Sequence, residues 1–260
     1  MRHEPVRRVT APILTTGRRR AGLLLAAAAL VATTVPASSA LAESGTAATA
    51  HSATPSYLDP ELPTAQRVSD LLGRMTLAEK IGQMTQAERG SVNADPTQIK
   101  NLNLGSLLSG GGSTPAPNTP EAWADMVDGY KHALTTRLRN PMLYGIDSVH
   151  GDGNLVGATI FPQNIGMGAT RDPQLVAEEE HITATETRAT GPQWVFAPCV
   201  CVTRDERWGR SYKSFGEDPR LVQRMTTAVD GFQGTRPKDL ARPDRVLATV
   251  KHFAGDGDTS

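Results

Sequence analysis

Val246-Leu247-Ala248-Thr249-Val250-Lys251-His252-Phe253-Ala254-Gly255-Asp256 is the stretch on which the fold turns. Five apolar or β-branched residues in succession, 246–250, predict a buried strand of the kind found in parallel sheets. Lys251 and His252 stand at its carboxyl mouth, with Gly255 and Gly257 just beyond. Neighbouring residues on a strand face opposite ways, so both side chains share one pocket only where the strand stops. The glycines stop it there, and charged groups at such a mouth mark a site.

Working outward, the same grammar recurs. Leu104 to Leu108 is a short apolar run that ends in Gly110-Gly111-Gly112, and Met142 to Asp147 is a second one. Trp194 to Ala197 is a third, and 158–161 offers a weaker candidate. Between them lie helical patterns. Val68, Leu71, Leu72 and Met75 share one helix face, and Thr76 with Glu79 predicts a capping box for the next helix. Trp123, Met126, Val127, Tyr130, Leu134 and Leu138 define a long amphipathic helix, and 178–189 and 221–232 predict two more. Strands alternating with helices give the α/β class, with βαβ units and a parallel sheet. The long glycine-bearing loops 110–120, 148–158, 198–218 and 251–260 all follow strands. Barrel enzymes and doubly wound sheets both keep their chemistry in such loops, so the layout leaves both open. No Gly-x-Gly-x-x-Gly follows a first strand, which speaks against a dinucleotide site.

The amino-terminal part has a different character. Arg7, Arg8, Arg18, Arg19 and Arg20 precede a run of small and apolar residues at 21–32, and Ala40-Leu41-Ala42 supplies a cleavage signature. A bilayer span needs about 20 apolar residues, more than this run has. Residues 1–42 are therefore expected to be a signal peptide for a secreted protein, by the general route or, through Arg19-Arg20, the twin-arginine route. Residues 43–60 read as a polar linker and 61–260 as the folded domain. Of 27 basic and 27 acidic residues the leader takes six Arg and one Glu, leaving 21 against 26. That acidic balance excludes nucleic acid and, after leader cleavage, a membrane surface as expected partners. Cys199 and Cys201, two apart on an expected strand, are predicted to be buried thiols, since bridging them would bend the backbone.

Four loop-mouth residues are the candidates for substrate binding. Asp147 ends Leu143-Tyr144-Gly145-Ile146-Asp147, where its carboxylate can accept hydrogen bonds from substrate hydroxyls or cap the following turn. Arg204-Asp205-Glu206-Arg207-Trp208-Gly209-Arg210 is dense in charge. Arg204, Asp205 and Arg207 fit an ion network that pins the loop, whereas Arg210, after a glycine, fits a ligand-facing guanidinium. Lys251 and His252 complete the set. His150, Asp152, His252 and Asp256 have no metal-ligand spacing, so neither metal nor cofactor is expected. Asp147, Glu217, Asp218 and Asp256 include enough carboxylates for glycosidic hydrolysis, but spacing does not choose a pair.

At these motifs the chain resembles glycoside hydrolase family 3, the β-glucosidase and exo-glucanase group. The resemblance runs from Arg74-Met75-Thr76-Leu77-Ala78-Glu79-Lys80-Ile81-Gly82-Gln83-Met84 through Gly105-Ser106-Leu107-Leu108-Ser109 and Tyr144-Gly145-Ile146-Asp147-Ser148-Val149-His150-Gly151. It continues at Ala158-Thr159-Ile160-Phe161-Pro162, Arg188-Ala189-Thr190-Gly191, Phe196-Ala197-Pro198, Arg204 to Arg210 and Lys251-His252-Phe253. It implies a (β/α)8 TIM barrel, here its first four or five strands, and no cofactor. It also implies that Asp147, Arg210, Lys251 and His252 grip the terminal glucosyl unit of a β-glucoside or β-glucan oligosaccharide. The family mechanism is retaining, with an aspartate nucleophile in a Ser-Asp-Trp type motif and a separate acid/base. Ser69-Asp70 is followed by Leu71, so no such motif occurs, and both catalytic carboxylates are expected beyond Ser260. The chain by itself is then expected to be inactive, with open sheet edges.

Two departures bear on this expectation. Lys213 stands where the family usually has Glu, three residues after the arginine matching Arg210. Asp256 stands where the N-acetylglucosaminidase branch has its His, which favours the glucosidase branch. The alternatives are a β-N-acetylhexosaminidase or β-xylosidase of the same fold, or a non-catalytic secreted sugar-binding remnant.

Overall fold

In the computed structural model, which describes residues 54–134 and 136–257, the strands join one parallel sheet in the order in which they are made. They are Gln86–Glu88 (β1), Ser106–Ser109 (β2), Leu143–Ile146 (β3) and Trp194–Val195 (β4). Ser106 pairs with Leu143, Ser109 with Ile146, and Gly145 with Trp194. Doubly wound sheets reverse their strand order at a switch point. A sequential order without reversal is that of an α/β barrel wall, which resolves the choice the sequence left open.

The run 246–250 lies where a fifth strand would, but it pairs only at points. Leu247 N donates to Gln193 O at 2.8 Å, Val195 N to Leu247 O at 2.9 Å and Thr249 N to Ala197 O at 2.8 Å. Isolated parallel bridges join Trp194 to Leu247 and Cys199 to Lys251. Pro198, which has no N–H to give, interrupts the ladder between them. The expected strand at 158–161 is absent. Its backbone is engaged elsewhere: Thr159 N and Oγ1 both donate to the Glu186 carboxylate at 2.8 Å, and Phe161 N donates to His150 O at 2.9 Å. β1, with one small apolar residue, was not foreseen.

Helices fill every strand-to-strand step. Thr64–Arg74 (α1) and Leu77–Gln83 (α2) precede β1, and Thr97–Asn101 (α3) leads to β2. Pro120–Ala133 (α4) leads to β3; Asn164–Thr170 (α5) and Pro173–Ala189 (α6) lead to β4. Pro219–Arg224 (α7) and Thr227–Gln233 (α8) follow. The Thr76–Glu79 capping box is present as expected. The helix expected through Leu138 ends at Ala133, and that expected over 221–232 is divided between α7 and α8. Tyr57, within the stretch read as linker, is buried, and its hydroxyl donates to Leu138 O at 2.8 Å.

Leu107, Trp123, Tyr144, Ile146, Val195, Phe232 and Val246 form the main core, where the sheet meets α4 and α8. Burying such side chains contributes roughly 1.5–3 kcal/mol each. Met167, Val176, Phe215, Val222, Met225 and Ala228 form a second cluster. α6 packs closely on α8 at Gly231, where an added Cβ would lie 2.5 Å from Ala177 O. Glu179 and Glu180 of α6 are buried. No helix among the described residues is long and apolar enough to cross a membrane.

Candidate active site at the carboxyl ends of the strands

β3 delivers Asp147 to the mouth of the sheet, and the loop after it is held in shape from within. His150 Nδ1 meets Phe161 O at 2.9 Å, opposite the Phe161 N–H bond to the same residue. Gly151 takes a φ of 101°, and a Cβ there would lie 2.1 Å from Thr159 O. Glycine is required on both counts. Asn154 ties this loop to the one after β2, donating to Gly110 O at 2.9 Å and accepting from Asn118 Nδ2 at its carbonyl at 2.8 Å. Asn118 in turn accepts from the buried Trp123 indole at 2.8 Å. Sequence reading missed Asn154, because a polar residue in a glycine-rich loop carries no signal of its reach. Asp152 is buried in the same loop, and burial pushes its carboxyl above the usual range.

Lys251 reaches back across 104 residues of sequence to donate from Nζ to Asp147 Oδ1 at 2.8 Å. The lysine side chain is mostly covered and the carboxylate is half exposed. This is a pair held from below and open to solvent above. Arg210 and His252 meet at a cleft of about 340 Å3, which residues 253–256 complete. Because Lys251 and His252 are consecutive, the two pairs are adjacent, and all four predicted residues gather at one end of the sheet.

The loop carrying Arg210 is pinned largely as expected. Arg207 grips Asp205 with Nη2 at 2.6 Å and Nε at 3.0 Å, which holds the Asp205 carboxyl below its usual range. Arg204 does not join that pair; its Nε points to Glu217 O at 3.4 Å. Trp208 is buried beneath the turn. Lys213 N donates to Arg210 O at 2.8 Å, so Lys213 closes the turn that begins at Arg210.

Cys199 and Cys201 correct the thiol expectation: they are joined by a disulfide, with Cα atoms 5.3 Å apart. That separation is shorter than the roughly 6.6 Å between alternate residues of a fully extended strand, and it lies within disulfide reach. Around them stand His252 and Asp256, the only potential ligand cluster of three or more such groups among the described residues. A separate cleft of about 440 Å3, lined by Leu134, Pro141 and Gln193, lies at the opposite ends of the strands.

Residues 76–260 match the family described as the Glycosyl hydrolase family 3 N terminal domain. The lysosomal beta glucosidase of Dictyostelium discoideum is 35% identical over 213 residues, covering 74% of this chain and 26% of that protein. The periplasmic beta-glucosidase of Salmonella typhimurium is 33% identical over 194 residues, covering 73% of this chain and 23% of that protein. Among solved structures, the exo-1,3/1,4-beta-glucanase from Pseudoalteromonas sp. superposes with a TM-score of 0.69 at 40% identity, over 75% of this chain and 25% of that one. A mutant beta-glucosidase from Listeria innocua in complex with laminaribiose gives a TM-score of 0.60 at 30% identity, over 74% and 27%. The chain thus spans about a quarter of the length of these relatives. With its sequential parallel sheet, part of an α/β barrel, the chain belongs to glycosyl hydrolase family 3, in the region of that family's N-terminal domain.

Proposed function

We propose that this region binds the terminal glucosyl unit of β-glucosides or β-glucan oligosaccharides in a retaining glycosidase. The observation that carries the reading is the Lys251–Asp147 contact at the sheet mouth, with Arg210 and His252 beside it. A half-exposed carboxylate can accept from two neighbouring sugar hydroxyls. Lysine, arginine and histidine donors around it then fix the orientation of the ring. That division of labour suits binding and positioning, and the nucleophile and acid/base are assigned to other parts of the whole protein. Several relatives bear the name β-glucosidase, which supports the substrate class. Residues 1–42 are assigned to a cleaved export signal, in keeping with the periplasmic relatives.

The test is kinetic. The whole gene product is assayed on chromogenic β-glucoside, β-xyloside and β-N-acetylglucosaminide, and the anomeric configuration of the released sugar is followed by NMR. The expected result is the highest kcat/KM on the glucoside, with retention. Asp147→Asn is expected to lower kcat/KM roughly 10- to 100-fold, the range for losing a charged hydrogen bond. Preference for the N-acetylglucosaminide, or an unaltered Asp147→Asn enzyme, would overturn the reading.

A further inference from the structure

Next to the sugar-facing residues, and sharing His252 with them, lies a second cluster whose cysteines and Asp256 substrate binding leaves unexplained. Cys199 Sγ, Cys201 Sγ, one nitrogen of His252 and one carboxylate oxygen of Asp256 all lie within 4.8 Å of one another. Cys201 Sγ is 3.4 Å from Asp256 Oδ2; Cys199 Sγ is 3.9 Å from both His252 Nδ1 and Asp256 Oδ2. His252 Nδ1 touches Asp256 Oδ2 directly. Both cysteines are buried. The loop that brings Asp256 back is tightly seated: Gly257 has a φ of 103°, and a Cβ there would lie 2.5 Å from Val202 O.

Ligand bonds of about 2.0–2.3 Å in a tetrahedral zinc site place the ligand atoms roughly 3.3–3.8 Å apart. The Cys199–His252, Cys199–Asp256 and Cys201–Asp256 separations, 3.4 to 3.9 Å, are close to that spacing, whereas the bonded sulfurs and the touching His252–Asp256 pair lie closer and must part for a cation to enter. Two sulfurs, an imidazole and one carboxylate form a donor set suited to zinc rather than to magnesium or calcium. The disulfide withholds both sulfurs, so the site belongs to the reduced chain. We propose that the dithiol form binds one zinc-class divalent cation through Cys199, Cys201, His252 and Asp256. A dithiol reductant supplies two electrons and two protons, becoming a disulfide itself, and the Cys199–Cys201 bond breaks to two thiols. The cation then displaces both thiol protons to solvent and gains two metal–sulfur bonds, one bond to His252 Nδ1 and one to Asp256. This assignment shares His252 with the glycosidase reading, and its metal titration is read without reference to glycosidase activity.

The experiment uses the full chain, reduced with dithiothreitol, freed of reductant under anaerobic conditions and titrated with cobalt(II). The expected result is one equivalent bound, with thiolate-to-cobalt charge transfer and tetrahedral d–d bands that zinc abolishes. His252→Ala and Asp256→Asn should each weaken binding tenfold or more, and the oxidised chain should show no thiolate band. Far-UV circular dichroism accompanies each sample, and the near-isosteric Asp256→Asn serves where His252→Ala disturbs folding. Absence of the thiolate band overturns the proposal. So does equal affinity in both variants, or binding by a chain without helical signal, since either assigns the metal to the Cys-x-Cys pair alone.

Discussion

Glu79 shows how much one carboxylate can hold. It completes the cap of α2 with Thr76, and it accepts from Arg137 Nη2 at 2.8 Å and Nε at 3.0 Å. Arg137 also donates to Arg74 O, so the end of α1, the start of α2 and the segment after α4 meet at this point. The arginine hydrogen bond, followed by the Thr76 backbone amide, pulls the Glu79 carboxyl down to about 2. A depressed acid stabilises the fold above its ordinary pKa and loses that contribution as pH falls through the folded value. Glu79→Gln is therefore expected to melt lower than the parent at pH 6, with the gap closing between pH 4.5 and 2; thermal denaturation followed by circular dichroism across that range checks it. The cap was legible in sequence because its two residues are three apart. Arg137, 58 residues away, was not. The same distinction separates the residues of the candidate site. Asp147, Arg210, Lys251 and His252 each carry a local sign, a strand end or a nearby glycine. The proximity of His252 and Asp256 to the cysteines exists only after the chain has folded.

α6 buries two consecutive carboxylates, Glu179 and Glu180, and Glu180 lies against α8, where a helix pair normally buries apolar groups. Burial raises the Glu179 carboxyl to about 8, and it raises Glu180 well above the ordinary range, with Glu179 adding to the effect. Here the sign is opposite to that of Glu79. The unfolded chain releases these protons near the ordinary value, whereas the folded chain keeps them, so stability falls as pH rises from about 4.5 toward 8. Glu180→Gln is expected to raise the melting temperature at pH 8 and to change little at pH 5. Gly231 on the facing helix leaves no room for a side chain, since its Cβ would meet Ala177 O and, at 2.8 Å, Glu180 Cβ. Gly231→Ala is expected to cost about 1–3 kcal/mol in urea titration, the usual range for overpacking. Periodicity foresaw α6, but it could not show that a Glu-rich stretch turns inward. Periodicity also misjudged the strands: Gln86-Ala87-Glu88 lacks an apolar run yet pairs with β2, while 158–161 has one and does not pair. In both places hydrogen-bond partners far along the chain decided the outcome.

At the scale of the molecule, several large apolar side chains among the described residues stand exposed. Val68 and Leu72 of α1 and Leu77, Ile81 and Met84 around α2 are all exposed, as is Phe253 near the candidate site. Soluble monomers rarely leave large apolar patches bare. The purified chain is therefore expected to associate as its concentration rises. Ile81→Lys combined with Met84→Lys should shift it toward monomer in sedimentation velocity. The α/β class and the loops at strand ends were visible as alternating patterns, but the order of the strands was not, because pairing partners are not written in hydropathy. That order carries a consequence for biosynthesis. β2 joins β1, β3 joins β2 and β4 joins β3, so a nascent chain never has to hold a gap open for a segment still inside the ribosome. Each emerging unit finds its template already made, and the sheet can grow at the pace of translation, from one end to the other.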